Sequence, residues 1–305
     1  MFSVKSLVVT KRTLTRTRKK TTMNSKTIVS YPIIAAMVAA AKALGEGVQW
    51  RASSHDQMRF MSGDFSAGES DAQKIPEIDT TVSNDADVLN KVLADRGFSI
   101  KLDPFEDPRD YGVVSILELL LEWLQEGKVT RIGKYPAVLL TDECVNFYSS
   151  SGHDYPVVVI STKSGDEVYL SVAGDSFDGS DLGIHIETVF GDLEYLDDYS
   201  GLIFPMVDLN EKVDIGWLKE MPAYLGGDLV GRITQALQQT MFAMDEKGVK
   251  VKSAVAIGAR FLSATITKPT LVIDKPFFVA VKRKDLKLPI LSGYIGRDCW
   301  KRPVR

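Results

Sequence analysis

The sequence predicts an α+β fold, in which helices near the start of the chain precede a long series of antiparallel strands. Before residue 127, apolar residues recur at helical spacing in three stretches. After Tyr135, short β-branched or aliphatic runs alternate with turn residues. Helices followed by many strands are typical of α+β domains rather than of βαβ winding. A chain of 305 residues is long enough for one large domain or two medium ones.

In the first half of the chain, three helices are expected, each ended by a glycine. They cover residues 33–44, 86–96 and 115–126, and the glycines are Gly45, Gly97 and Gly127. Ser115 and Glu118 fit a capping box that would start the third helix. Strands are expected over residues 27–31 and 98–105. Residues 62–85, rich in Ser, Gly and Asp, are expected to form a loop or insertion.

The second half is predicted to be mostly strand. The predicted strands cover residues 136–140, 156–160, 168–172, 229–244, 271–281 and 288–295. The last two are joined by the charged turn 282–287. One further helix is expected over residues 215–220.

The formal net charge of −3 conceals a basic segment at the start of the chain, where no Asp or Glu occurs before Glu46. Residues 1–26 are predicted to form a flexible basic tail, because they contain too little apolar surface to fold. Its candidate anion-binding residues are Lys11, Arg12, Arg16, Arg18, Lys19 and Lys20. Such a segment indicates contact with nucleic acid or nuclear localisation, and the alternative is a solvated leader. Residues 299–305 are expected to form a second basic tail.

Composition and motifs narrow the class of protein. Two cysteines, Cys144 and Cys299, do not make a disulfide framework or a cysteine zinc site, and they favour a reducing compartment. No secretory signal or membrane span is recognisable, so an intracellular location (cytoplasmic or nuclear) without membrane association is expected. No cofactor motif, metal site or catalytic motif is found. His153, beside Asp154, is expected in a solvated loop, and His185 and Glu187 on one face of a strand. The chain is therefore not expected to be an enzyme.

One segment near the end of the chain carries a specific pattern. Residues 271–281 read LVIDKPFFVAV, and residues 288–295 read LPILSGYI. Together with Asp245-Glu246-Lys247-Gly248, they resemble the C-terminal signature, last core strand and loop hinge of serpins. The order of the other predicted elements is similar to that family over most of residues 27–298, as in a short and divergent member. The resemblance implies a single domain over residues 27–298 with antiparallel sheets, surrounding helices and an exposed reactive-centre-like loop at about residues 246–268.

The resemblance also implies positions for a hinge and a bait bond. The hinge residues are Glu246, Gly248, Val249, Lys250, Val251, Lys252, Ser253 and Ala254. The family spacing places the bait bond between Leu262 and Ser263, which would suit a chymotrypsin-like protease, with Arg260 as the alternative bait. Inhibition in this family proceeds by cleavage of the loop and its insertion into the main sheet.

Several positions depart from the family pattern. Inhibitory members carry small residues where this chain has residues 251–254. Tyr31, Ile34, Gln238 and Thr141 stand where gating polar residues are expected, and residues 146–149 replace a Lys-Gly-x-Trp pattern. The sequence therefore predicts a non-inhibitory serpin-like protein that binds a protein partner. The alternative is an intracellular serine or cysteine protease inhibitor that acts by loop insertion.

Overall fold

The computed structural model of this chain describes residues 23–107, 110–141, 144–174, 177, 181–250 and 268–303. Within these residues, five α-helices accompany five β-sheets. The helices are α1 (Ser30–Leu44), α2 (His55–Phe60), α3 (Ser66–Ala72), α4 (Ala86–Asp95) and α5 (Leu182–Val189). The strands are β1 (Lys26–Ile28), β2 (Gln49–Trp50), β3 (Ile78–Ser83), β4 (Gly112–Leu117), β5 (Leu121–Glu122), β6 (Lys128–Ile132), β7 (Tyr135–Thr141), β8 (Val145–Ser150), β9 (His153–Ser161), β10 (Glu167–Val172), β11 (Leu193–Leu196), β12 (Gly201–Pro205), β13 (Val207–Val213), β14 (Pro222–Leu225), β15 (Asp228–Arg232), β16 (Gln238–Met244), β17 (Gly248–Lys250), β18 (Thr270–Val272), β19 (Phe277–Lys282) and β20 (Leu291–Ile295).

The largest sheet has seven strands in the order β1-β20-β19-β10-β9-β8-β11. It joins the first and last described strands, because Lys26 of β1 lies opposite Tyr294 of β20. The Ser25 hydroxyl donates to Asp298 at 2.9 Å, and Cys299 and Trp300 are buried. The domain therefore includes residues on both sides of the expected boundaries at 27 and 298.

Four smaller sheets complete the described architecture. They have the orders β18-β12-β7-β6, β13-β16-β17-β5, β15-β14-β2 and β3-β4. The β12–β18 pairing is parallel, and the other pairings are antiparallel. The largest core cluster includes Trp123, Phe204 and Phe277, which are buried with aliphatic residues from several of these sheets. Burial of such large side chains stabilises the fold by about 1.5–3 kcal/mol each.

Two of the predicted helices are confirmed. Helix α4 begins after Asp85, whose carboxylate accepts a hydrogen bond from the Asp87 N–H at 2.8 Å. This cap satisfies one of the free N–H groups at the helix start. Helix α1 begins at Ser30, three residues before the prediction, and ends at Leu44 before Gly45. The strand expected over residues 27–31 is correspondingly short and ends at Ile28.

The prediction of a helix over residues 115–126 is wrong. This segment forms β4 and β5, and Trp123 makes a single bridge to Thr162. The leucine-rich pattern fits a helix locally, but tertiary pairing overrides this propensity, because β4 pairs with β3 and β5 pairs with β17. The strand β3 itself, and α3, lie in residues 62–85, where a loop was expected.

Other differences concern strands. Residues 98–105 form no strand and are held by side chains instead. Residues 229–244 divide into β15 and β16, and residues 271–281 divide between β18 and β19, in each case in two different sheets. A short 3-10 turn, Gly216–Leu218, replaces the helix expected over residues 215–220. The strands expected over residues 136–140, 156–160 and 168–172 are confirmed as β7, β9 and β10, and β20 forms the second part of 288–295.

Candidate functional site

A cavity of about 1450 Å³ separates β4 from β16. Within the described residues, β4 pairs with β3 alone. Strand β16 pairs along its whole length with β13, but only Ala243 and Met244 pair with β17. We call the space between β4 and β16 the slot. Its back wall is formed by α1, including Ile33 and Met37. Two strand edges and the apolar residues of α1 thus line this space.

The start of the predicted loop lies at one end of the slot. The short strand β17 fits between β16 and β5, with Val249 opposite both Met244 and Leu121. Val249 is only 4% exposed, so its side chain belongs to the buried face of the sheet. Its neighbour Lys250 lies opposite Ala243 in the backbone register. Three of the predicted hinge residues, Gly248, Val249 and Lys250, are already part of the sheet.

Gly248 is required by the close approach of two backbones. Its φ is +154°, a conformation that side-chain-bearing residues rarely adopt. A Cβ at this position would overlap the carbonyl oxygen of Leu121 and would lie 2.9 Å from the Cα of Glu122. Only glycine allows β17 to pair here with β5.

Trp123 fixes the chain just before β17. Its indole N–H donates to the carbonyl oxygen of Asp245 at 2.9 Å, and its backbone N–H donates to that of Lys247 at 3.0 Å. The N–H of Gly127 donates to the carbonyl oxygen of Glu246 at 2.7 Å. Trp123 is 1% exposed, so these bonds are shielded from water. The hinge is held by a buried aromatic side chain that the sequence patterns did not indicate.

The Glu246 side chain makes an ion pair with the end of the described chain. Its carboxylate accepts a hydrogen bond from the guanidinium of Arg302 at 2.8 Å. The carboxylate is largely buried, whereas the arginine is more exposed. Arg302, which was expected in a basic tail, is thereby linked to the hinge.

The serpin resemblance implies that residues 135–148 form the central strand of the main sheet, after which the Lys-Gly-x-Trp pattern is expected, and this position requires a correction. Residues 135–148 resemble that strand in sequence, but β7 lies in the sheet with β12 and β6. The strand beside the hinge is β5, and Trp123 follows it directly. Residues 146–149 belong to β8 and do not lie beside the hinge, whereas Trp123 does. The signal that could have found it is a single tryptophan at the end of a leucine run before Gly127.

The predicted gating positions divide into two groups. Tyr31 and Ile34 are fully buried, and the Tyr31 hydroxyl accepts a hydrogen bond from the Leu288 N–H at 3.1 Å. Burial raises the pKa of Tyr31. The Gln238 amide donates to the carbonyl oxygen of Val29 at 2.9 Å and so connects β16 with the start of α1. Thr141, by contrast, lies at the end of β7, in a different sheet from the slot.

An ion cluster attaches the β3–β4 sheet, which lies on one side of the slot, to the seven-stranded sheet. Arg283, after β19, donates to both carboxylate oxygens of Glu77, just before β3, at 2.7 and 3.0 Å. It also donates to both oxygens of Asp166, in the turn between β9 and β10, at 2.7 and 2.9 Å. Asp166 is 1% exposed. Bidentate pairs of this kind are strong and directional, so the cluster links β3 to the seven-stranded sheet.

The remaining predicted site residues lie outside the described residues. They are the hinge positions Val251, Lys252, Ser253 and Ala254, the bait positions Arg260, Leu262 and Ser263, and the six basic residues of the tail. The structure therefore brings together the hinge start, Trp123 and the slot.

The histidines do not occupy the expected positions. His153 lies in β9, where its Nε2 is 2.8 Å from the carbonyl oxygen of Val172, and burial lowers its pKa. His185 and Glu187 belong to α5 rather than to a strand. Among the residues that the structure describes, no three His, Cys, Asp or Glu side chains form a candidate metal centre. None of the described helices has the length and hydropathy needed to cross a bilayer.

Sequence comparison identifies no relative: no known family profile matches the chain, and no curated protein does. Comparison of folds gives a different result, with 289 similar chains among solved structures. A serpin from Schistosoma mansoni shares 9% identity, with a TM-score of 0.61 and coverage of 90% of this chain and 95% of that one. Serpin48 of the insect Tenebrio molitor shares 13% identity, with a TM-score of 0.57 and coverage of 90% and 92%.

Human thyroxine-binding globulin in complex with thyroxine is also similar, at 10% identity, a TM-score of 0.53 and coverage of 89% and 91%. The similarity extends over nearly the full length of each solved chain, so it concerns the whole architecture rather than one motif. The slot between β4 and β16, the position of β17 between β16 and β5, and these similarities agree with the α+β fold and the serpin resemblance found in the sequence. The protein has the serpin fold.

Proposed function

We propose that this protein inhibits a serine or cysteine protease by adding its cleaved loop to the slot as a new strand. The observation that carries the proposal is the position of β17, which already lies between β16 and β5 at the end of the slot. A strand that has started to pair can extend along the same two edges. This favours the alternative of the sequence analysis over a purely binding role.

Continuing the observed register along β16 gives suitable neighbours for the next loop residues. Since Val249 lies opposite Met244, Val251 would lie opposite Phe242, which is buried, and Ser253 opposite Thr240, also buried. Lys252 would lie opposite Met241, which is 42% exposed. The apolar residue would therefore face the core and the lysine would reach solvent.

Continuing the register along the other edge gives Lys252 an acidic partner. Since Val249 lies opposite Leu121, Lys252 would lie opposite Glu118, between β4 and β5. The carboxylate of Glu118 is now 2.9 Å from the guanidinium of Arg96 and is partly exposed. Opposite charges across neighbouring strands stabilise a sheet by about 0.2–1 kcal/mol. The lysine that departs from the family pattern thus fits this chain's own slot.

Cleavage of the loop should raise the melting temperature. If residues 251 onwards form a new strand, we expect a rise of at least about 10 °C, because several kcal/mol of added stability shifts a domain of this size by that amount. The measurement is a thermal scan before and after limited chymotrypsin cleavage near Leu262. An SDS-stable complex with the protease is expected as well. An unchanged melting temperature in the cleaved protein would exclude loop insertion.

A charge exchange tests the proposed register. Glu118→Lys should reduce the temperature rise after cleavage by about 2–4 °C relative to the unaltered protein, because two lysines would then face each other. Lys252→Glu in the same chain should restore it. For each variant, the melting temperature of the uncut protein is subtracted from that of the cut protein. Loss of the Glu118–Arg96 pair is then removed from the comparison. Glu126→Lys, an exposed substitution away from the slot, is the control. Equal losses in Glu118→Lys and in the double variant would refute the register.

A non-inhibitory binding role is the second candidate. It is favoured by the gating positions, because Tyr31 is buried and Gln238 is bonded to α1 where other polar groups are expected. The similarity to thyroxine-binding globulin, which was solved with bound thyroxine, is compatible with such a role on this fold. Cleavage without a change in melting temperature, and without a stable protease complex, would favour it.

A further inference from the structure

Residues 98–107 cross the front of the slot, and we call this segment the strap. It begins directly after Gly97 at the end of α4 and leads towards β4. Phe98, Ile100, Leu102 and Phe105 contribute to the wall of the cavity. The same side chains pack against a buried cluster that includes Leu89 of α4. One side of the strap is thus attached to α4 and β4 by apolar contacts.

Side-chain amides attach the strap on both sides. The Asn90 amide of α4 donates to the carbonyl oxygen of Leu102 at 2.9 Å and accepts from its N–H at 2.8 Å. Gln235, just before β16, makes the same pair of bonds with Asp103, at 3.0 and 2.8 Å. The strap is therefore clamped between α4 and the chain leading into β16.

A third amide bonds to the strap from within β16. The Gln239 side-chain oxygen accepts hydrogen bonds from the backbone N–H groups of Ser99 and Ile100 at 2.8 and 3.1 Å. Its nitrogen donates to Asn210 of β13 at 2.6 Å. Within the described residues, the strap belongs to no sheet, so these side chains take the place of backbone pairing. Among the described residues, no strand pairs with the inner edge of β4 or with residues 238–242 of β16.

We propose that the strap is a releasable brace that limits entry of a strand into the slot. A strand inserted between β4 and β16 must lie about 4.8 Å from each of them. This spacing fixes the distance between β4 and β16 once the slot is filled. The strap now connects the two sides of the slot, because Asn90 bonds it to α4 on one side and Gln235 bonds it to the chain before β16 on the other. The hydrogen bonds from Asn90 and Gln235 to the strap must open or shift before β4 and β16 can move far enough apart to admit a strand. This inference rests on the proposed function only in that the slot accepts a strand.

The test removes the hydrogen bonds from Asn90 and Gln235 without altering the edges of the slot. The variants are Asn90→Ala and Gln235→Ala, with Gln73→Ala, an exposed residue at the end of α3, as the control. Hydrogen exchange should become about tenfold faster at Leu102 in the first variant and at Asp103 in the second, as expected when such bonds are lost. A labelled synthetic peptide with the sequence of residues 251–257, which continues β17, should then enter both variants about tenfold faster than the unaltered full chain.

The two proposals fail in different ways. If exchange in the strap is faster but the uptake of the peptide is unchanged, the strap does not limit entry and the inference is wrong. It is also wrong if no variant takes up the peptide. Failure of the protease-inhibitor proposal is recognised separately, by a cleaved loop that leaves the melting temperature of the unaltered protein the same.

Discussion

Replacing Gly248 with alanine is expected to remove β17 from the sheet and to lower the free energy of unfolding by about 2–4 kcal/mol. The methyl group would overlap the carbonyl oxygen of Leu121, and the backbone has a φ of +154°. Neither strand can move away easily, because Trp123 bonds to the chain on the other side of the contact. The strain is relieved only if the hinge leaves its position between β16 and β5.

Two measurements check this result. Urea unfolding gives the loss of stability, and limited trypsin digestion shows whether Lys247 and Lys250 become cleavable. Gly133→Ala is the matched control, because Gly133 also has a positive φ, of +57°, but nothing lies within 4 Å of the place that its new methyl group would occupy. If the two variants behave alike, backbone conformation alone explains the effect and the close contact at Gly248 is unimportant.

Arg283→Ala should be the most destabilising of the charge substitutions, at about 3–5 kcal/mol. The reason is the position of Asp166, whose carboxylate is almost completely buried and would lose both of its hydrogen bonds from the guanidinium. Removing one partner of a buried pair leaves an uncompensated charge, which costs far more than losing an exposed pair. The cluster links β3, the partner of β4, to the seven-stranded sheet. Its loss should therefore also loosen the β4 side of the slot.

Urea unfolding of Arg283→Ala and of Lys284→Ala, an exposed neighbour, provides the comparison. The pH dependence of the free energy of unfolding adds a second readout, since the hydrogen bond from Arg283 lowers the pKa of Glu77. A carboxylate with a lowered pKa stabilises the fold above its unfolded pKa of about 4.3, and this contribution disappears as the pH falls through the folded value. Stability should therefore fall less steeply on acidification in the variant. A cost below about 1 kcal/mol would contradict the role of the cluster.

Much of the second half of the fold follows from local patterns, because β7, β9, β10 and β19 are short apolar strands bounded by turns. The first half was less predictable. Residues 115–126 carry a leucine-rich helical pattern and a capping-box sequence, yet they are strands because β3 and β17 offer backbone partners. Those partners lie far away in the sequence, and local propensity contains no information about them.

The candidate site shows the same limit. The hinge start at Gly248 is a prediction from the resemblance to a family pattern, whereas no sequence pattern indicates the role of Trp123. Its role depends on the indole reaching the carbonyl oxygen of Asp245, 122 residues later in the chain. The strap was expected as a strand from alternating residues, and the glutamine side chains that hold it come from residues 235 and 239. Contacts of this kind appear only when the two regions are placed together.

The pairing of β1 with β20 has a consequence for biosynthesis. Ser25 bonds to Asp298, 273 positions away, so β1 has no partner in its sheet until residues 291–295 have left the ribosome. Contacts between such distant residues slow folding, because the intervening chain must be ordered before they form. Until then the edge of β19 and its apolar face are open to other nascent chains. Truncated products that lack residues 291–295 should therefore aggregate rather than accumulate as folded fragments.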